Sequence, residues 1–381
     1  MSVTLDLARA LIERPSLTPD DAGCQQLLAE RLAPLGFEAE WLPFGEVSNV
    51  LFTHGDSGGP DAPSLWFLGH TDVVPPGPLE AWSSPPFQPE VRDGTLYGRG
   101  AADMKGGVAA MVVAAETLVR EQPAHRGQVG ILLTSDEEGA AADGVKRVAE
   151  VLRQRNGAPD YCLVGEPSSQ LKLGDTLRIG RRGSMHLRIK VLGVQGHSAF
   201  PELLDNPVHR LASFLHELTR LEWDRGDENF PPTHCQVTNI HAGTGAENVT
   251  PGVAEAWINF RNSPASPHAT IRSKVEALLQ RCGIERYDLN WLVSGEPFRS
   301  EAGKLRAAAV AAIRQELGVD PELNTGGGTS DGRFIAPLGS EVIELGLCNR
   351  SIHKIDEHTS IADLDSLSRV YGIIMREILA G

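Results

Sequence analysis

The side chains with the most chemistry in them are carboxylates and histidines that follow apolar runs. In "TSDEEG" (Thr134 to Gly139) three carboxylates, Asp136, Glu137 and Glu138, come directly after Val129 to Leu133. A buried strand does not end in three unpaired negative charges, because taking even one carboxylate out of water is expensive. The run therefore asks for a cation. "GHTD" follows "SLWFL" and places His70 and Asp72 two residues apart, on one side of an extended segment. There Asp72 can hold the His70 imidazole in the tautomer that a metal requires. "GEP" follows "CLV" and brings Glu166, "YGRGAADMKGG" puts Asp103 at the start of a helix, and the distant "SIHKIDEH" supplies His353. The set His70, Asp103, Glu138, Glu166 and His353 offers imidazole and oxygen donors without the thiolates of a structural site, which suits zinc or a neighbouring divalent ion. It suffices for two ions sharing one carboxylate. Any one of these residues alone reads as a hydrogen-bonded surface group; five of them after strand ends and in glycine-rich contexts read as a metal site.

Those groups meet only if the elements before them converge. "SNVLFT", "SLWFL", "VGILLT", "DYCLV" and "EVIELGL" read as strands, alternating with helices. Helices are expected at the amphipathic N-terminus "MSVTLDLARALIERPS", at Thr18 to Leu35 with Thr18 capping and Pro19 in the first turn, and at Met104 to Arg120. This order implies an α/β fold with a mostly parallel, helix-covered sheet. In open α/β sheets ligands bind beyond the carboxyl ends of the strands, where the acidic and histidine residues fall. From Arg181 to Val293 the order changes to strand, helix, strand, strand, helix, strand, that of a split βαβ, ferredoxin-like α+β unit. The expected organisation is a discontinuous catalytic domain, residues 1–180 and 294–381, interrupted by a smaller domain at 181–293.

A chain of 381 residues with 41% hydrophobic residues has material for two cores. Its 35 basic and 50 acidic residues give a net charge of −15, which argues against non-specific binding to nucleic acid or anionic membrane. An anionic substrate would need a local basic pocket. The longest apolar run, Val108 to Ala115, is too short to cross a bilayer, and no secretory signal is evident at the N-terminus, so the expected location is cytoplasmic. Five scattered cysteines, Cys24, Cys162, Cys235, Cys282 and Cys348, form no C-x-x-C pair and read as reduced core residues. The sole low-complexity stretch is the Gly/Pro-rich loop His54 to Pro63.

"GHTDVVP", "GRGAADMKGG", "TSDEEG" and "GEPSS" together resemble the di-zinc aminoacylase and carboxypeptidase family, in order and over nearly the whole chain. "GRRGS" (Gly180 to Ser184), "GGGTSDGRF" (Gly326 to Phe334) and "CNRSIHKIDE" (Cys348 to Glu357) narrow the resemblance to members acting on small anionic N-acyl amino acids. The resemblance implies two zinc ions per subunit, with cobalt able to substitute at one: His70 and Glu166 on the first, Glu138 and His353 on the second, Asp103 bridging. It makes Asp72 the orienting partner of His70 and Glu137 the general acid/base of amide hydrolysis. It further implies that the inserted domain forms a homodimer, with His197 crossing from the partner to stabilise the oxyanion. Substrate contacts carried over are Arg178, Arg181, Ser184, Asn248, Arg261, Gly328, Thr329 and Asn349. Two positions depart from the family pattern, Arg178 where lysine is expected and Phe200 where tyrosine is, and both bear on substrate choice rather than on the metals. Asp136 has no assigned role and reads as a solvated or helix-capping carboxylate.

A rival enzyme class is written in "GTSDG", Gly328 to Gly332, which satisfies the nucleophile-elbow spacing with Asp356 and His358 following in the right order. Its context is wrong, since "ELNTGGG" precedes the serine and Pro337 soon follows. A third reading, a metal-holding dimerisation module without catalysis, leaves Glu137 unexplained.

Overall fold

The computed structural model describes residues 2–56 and 62–379; much of the Gly/Pro-rich loop, residues 57–61, lies outside the described residues. The chain divides into two compact units, Met1–Gly180 with Arg299–Asn324 and Ser330–Gly381, and Arg181–Phe298 with Thr325–Thr329.

The first unit is built on an eight-stranded sheet in the order Glu38–Trp41, Asn49–His54, Gln128–Thr134, Ser64–His70, Tyr161–Val164, Glu341–Glu344, Thr176–Arg178, Glu322–Asn324. The four central strands from Gln128–Thr134 to Glu341–Glu344 run parallel. Antiparallel pairings flank them, so the sheet is mixed rather than uniformly parallel. Ser64–His70 is buried along its whole length and Gln128–Thr134 in all but its first residue, the pattern of strands covered on both faces. Because these strands are parallel, their carboxyl ends emerge together. There the chain places His70, the acidic turn after Thr134, and Glu166.

The helix Lys105–Glu121 lies against this sheet with Val108 to Val112 fully buried. Burying Val108, Met111 and Val112 contributes about 1.5–3 kcal/mol each. Glycine is required where the helix meets backbone: a Cβ on Gly106 would lie 2.3 Å from the Ala101 carbonyl oxygen, and one on Gly107 2.8 Å from that of Gly165. This close approach packs the helix under the residue that precedes Glu166.

One expected helix is shorter than its sequence suggested. It spans Cys24–Leu32 rather than starting at Thr18, and Gly23 at φ 79° stands at its N-cap. Left-handed backbone at Ala22, φ 48°, and Gly23 breaks the segment before Cys24, and the Thr18 amide donates to the Val73 carbonyl.

In the second unit the strands His234–Ala242, Val253–Asn262, Gly183–Leu192 and Tyr287–Gly295 form an antiparallel sheet in that spatial order, that of a split βαβ arrangement. Burial alternates along Val253–Asn262 and along most of Gly183–Leu192. The buried side chains Met185, Leu187, Ile189 and Phe260 join Phe214 and Leu218 of the helix Pro207–Arg220, and Ile271 and Val275 of the helix Pro-capped at His268–Arg281, in one core. Among the described residues no helix is long and apolar enough to cross a membrane. All five cysteines are free, three of them buried and two half-buried.

Candidate metal centre

His70 ends its strand almost wholly buried, and both ring nitrogens are engaged. Nδ1 lies 2.9 Å from the Asp72 carbonyl oxygen and Nε2 lies 3.2 Å from Asp103 Oδ1 and 3.6 Å from Glu166 Oε1. A proton on Nδ1 donated to that carbonyl makes Nε2 the nitrogen that would meet a cation placed among the carboxylates, the tautomer a metal ligand needs. The Asp72 carboxylate stands 3.6 Å from Nδ1 and accepts instead from the backbone amides of Glu137 at 3.4 Å and Glu138 at 3.1 Å. The hydrogen bond orienting the imidazole is thus made by the main chain of Asp72, and its side chain shapes the acidic turn.

On the other side His353 Nε2 lies 2.9 Å from Glu138 Oε1 and 3.3 Å from Asp103 Oδ2. The two oxygens of Asp103 are therefore divided between the two histidines. His70, Asp103 and Glu166 each offer a ligand atom within 4.8 Å of the others, and so do Asp103, Glu138 and His353.

Burial opposes a charge on His70, yet hydrogen bonding to Asp103 and the carboxylates Glu166 and Asp72 push its pKa well above the ordinary value. Hydrogen bonds to Asp103 and Glu138 push His353 up to about 10. Asp103 is buried, which opposes ionisation, but the two histidines hold it below the usual carboxylate range. Carboxylates that raise the pKa of two imidazoles in this way attract positive charge, the electrostatics of a cation site. Its donor types, the shared carboxylate and the separations fit two divalent ions. Glu137 differs from its neighbours: burial, together with Asp331, Glu138 and Asp103, raises its pKa well above normal against the pull of His70.

Asp136 is buried rather than solvated. Its Oδ2 accepts from the amides of Ala142 at 2.8 Å and Asp143 at 3.1 Å and so fastens the loop leading to the helix Val145–Arg155.

The remaining expected site residues are distributed between the units. Arg178, buried in the first unit, donates to Asn324 Oδ1, and Asn349 is held through its amide by the Ser169 carbonyl. In the second unit Arg181 donates to the carbonyls of Gly326 and Gly328 at 3.2 Å. Arg261 Nε donates to Asn259, whose amide nitrogen in turn lies 3.5 Å from Ser184 Oγ. Thr329 is half-buried, whereas Asn248 and His197 are exposed. The elbow serine, Ser330, is buried and donates to Glu344, while His358 lies against the Tyr97 ring; the Ser–His contact that the rival class needs is absent among the described residues.

Four residues to which the sequence reading gave no role adjoin the centre. Asp331, buried with Arg333 Nη2 at 3.7 Å, is pushed up to about 6 by burial against the opposing charge of that arginine. Arg99 and Glu357 form a fully buried ion pair at 2.6 Å. A charged residue inside a glycine-rich motif, as Arg99 is in "GRG", and an acid four residues after a ligand, as Glu357 is after His353, were the available signals.

Residues 66–377 match the peptidase family M20/M25/M40. The chain belongs to this family. The chain is similar to a succinyl-diaminopimelate desuccinylase of Methylococcus capsulatus, 56% identical over 380 residues that cover both chains fully, and to one of Thioalkalivibrio sulfidiphilus, 55% identical over 379 residues with the same coverage. Among solved structures, an M20 family metallo-carboxypeptidase from Sulfolobus solfataricus superposes with a TM-score of 0.80 at 17% identity, covering 100% of this chain and 99% of its own. The Bacillus subtilis YXEP protein, described as a dinuclear metal binding peptidase of the M20 family, gives 0.75 at 16% identity, covering 99% and 97%. These two likenesses establish the M20 fold, a mixed sheet covered by helices. Family membership makes the chain a metal-dependent hydrolase, and its own residues supply two groups able to hold metal ions.

Proposed function

We propose that the chain hydrolyses the amide bond of N-succinyl-LL-2,6-diaminopimelate to succinate and LL-2,6-diaminopimelate, a cytoplasmic step of lysine and diaminopimelate biosynthesis. The full-length relatives at 55–56% identity support this substrate. The observation that carries the chemistry is the division of the Asp103 carboxylate between His70 and His353. On this reading two zinc ions are held, the first by His70, Asp103 and Glu166, the second by Asp103, Glu138 and His353, with cobalt able to replace zinc at one position.

Two such ions would lower the pKa of a bound water and polarise the acyl carbonyl. Glu137 takes the proton of the attacking water and delivers it to the departing nitrogen, so that the leaving group is a neutral amine. Its raised pKa suits a group that must first accept and then give up a proton. Asp72 holds the turn that separates Glu137 from Glu138, so that one serves as base and the other as ligand.

The substrate presents three carboxylates, which planar guanidinium groups bind better than ammonium does. Arg178, Arg181 and Arg261 are assigned to them, with Ser184, Asn248, Gly328, Thr329 and Asn349 completing the contacts. His197 acts from the partner subunit of a homodimer on the oxyanion.

The deciding experiment assays N-succinyl-LL-2,6-diaminopimelate beside N-acetylornithine on protein of measured metal content. Turnover of the succinyl compound that requires two ions per chain is expected. Faster hydrolysis of N-acetylornithine, or full activity in protein stripped of divalent ions, overturns the reading.

A further inference from the structure

The ion pair between Arg99 and Glu357 is buried completely, and neither residue is among the five assigned ligands. As a source of stability such a pair is a poor investment, because the desolvation of both charges offsets most of their attraction. Its hydrogen bonds suggest another use. Glu357 Oε1 accepts the backbone amides of Ala102 and Asp103, each at 3.0 Å, and Oε2 accepts from Arg99 Nη1. The Glu357 carbonyl takes the amide of Gly98 at 2.9 Å. Arg99 also donates from Nη1 to the Lys354 carbonyl at 3.3 Å and from Nη2 to the Pro75 carbonyl at 3.4 Å. One buried pair thereby joins the segment after His70, the loop that ends in Asp103, and the loop that carries His353.

That last loop needs holding. His353 at φ 61° and Asp356 at φ 56° both adopt left-handed backbone without being glycine, a conformation that persists where surrounding contacts impose it. Asp356 is fastened separately, by the amide and hydroxyl of Ser83 at 2.8 and 2.9 Å. The side chain of His353 is 48% exposed and meets Asp103 and Glu138, so little packing of its own fixes it. His70, by contrast, ends a buried strand, and Glu166 follows one.

From this asymmetry we infer that Arg99 and Glu357 are positioning residues for the second metal position, that of Asp103, Glu138 and His353. The inference rests on the two-ion reading above. The pair supports two of the three ligands at the second position, Asp103 and His353, and one of three at the first. Weakening it therefore loosens the second ion far more than the first.

The test is a calorimetric titration of zinc into the full chain, freed of metal with a chelator, for wild type, Glu357→Gln and Arg99→Lys. Glu357→Gln keeps an acceptor for the two amides but loses the charge facing Arg99; Arg99→Lys keeps the charge but loses the fork that reaches Pro75 and Lys354. Should the first variant fail to fold, judged by the melting temperature of the metal-free protein, the milder second one carries the test. The expected result is a first ion bound within about threefold of wild type and a second bound at least about tenfold more weakly, the scale on which residues orienting ligands act. Equal weakening of both ions, or no change in the second, overturns the inference alone. A wild-type chain that takes up a single ion overturns the two-ion reading as well.

Discussion

The carboxylate of Asp72 accepts the backbone amide of Glu138 at 3.1 Å, so a residue two places after the first histidine shapes the turn that carries the opposing carboxylates. Asp72→Ala removes this acceptor and leaves two amides without their partner. We expect metal affinity to fall about 10- to 100-fold, with turnover falling alongside it. Metal titration and steady-state kinetics check this, and Asp72→Asn, which keeps one acceptor oxygen, should lie between the variant and wild type.

Glu137→Gln preserves size and removes the ability to carry a proton. It should bind two ions as wild type does and lose about a hundred- to ten-thousand-fold in kcat. Appreciable turnover with both ions present would remove Glu137 from the reaction.

Arg261→Lys retains charge but not the planar fork suited to a carboxylate. The expected result is a KM raised about tenfold, which corresponds to about 1.4 kcal/mol of binding, with kcat little altered. A change confined to kcat would place Arg261 elsewhere in the mechanism.

Gly106→Ala puts a Cβ 2.3 Å from the Ala101 carbonyl and 2.8 Å from Leu347 Cδ1, where backbone and core must shift. Overpacking of this kind costs about 1–3 kcal/mol, visible as a lower urea midpoint. Because Ala101 lies in the loop of Asp103, weaker metal binding should accompany the loss.

His54 and His125 share a hydrogen bond of 2.8 Å at the end of the strand opposite the metal centre. Burial first, and the charge of His125 second, lower the His54 pKa below its ordinary 6.5. With the folded value depressed, the unfolded chain takes up the proton first as pH falls. The contribution of neutral His54 is therefore complete above pH 6.5 and is lost as pH drops through the folded value. Urea midpoints measured from pH 7.5 to 5 should decline in wild type, and decline less in His54→Phe, whose ring can still pack on Phe37.

Much of this architecture was legible beforehand because its signals are local. Unbroken apolar runs marked the central strands, and the change of element order after Arg181 marked the antiparallel sheet of the second unit. Start points were harder to read. The helix expected at Thr18 begins at Cys24, since left-handed backbone at Ala22 and Gly23 divides the segment, and a capping residue in the sequence does not say which of several nearby turns it will cap. Asp136 read as solvated or helix-capping, and nothing in its own stretch announces that the amides of Ala142 and Asp143 fold back onto it.

The types of the metal-centre residues, and their place after strand ends, were determined by the sequence itself, because an ionised carboxylate next to a buried strand must have a partner and only a few residue types can share a cation. Which oxygen of Asp103 faces which histidine, that the Asp72 carbonyl takes the His70 Nδ1 hydrogen bond at 2.9 Å while its carboxylate stands at 3.6 Å, and that Arg99 pairs with Glu357 were decided by tertiary structure alone. These are contacts between residues up to 258 positions apart in the chain. Their directions depend on how the parallel strands bring separate loops to one edge, and no periodicity or spacing within a segment encodes that meeting.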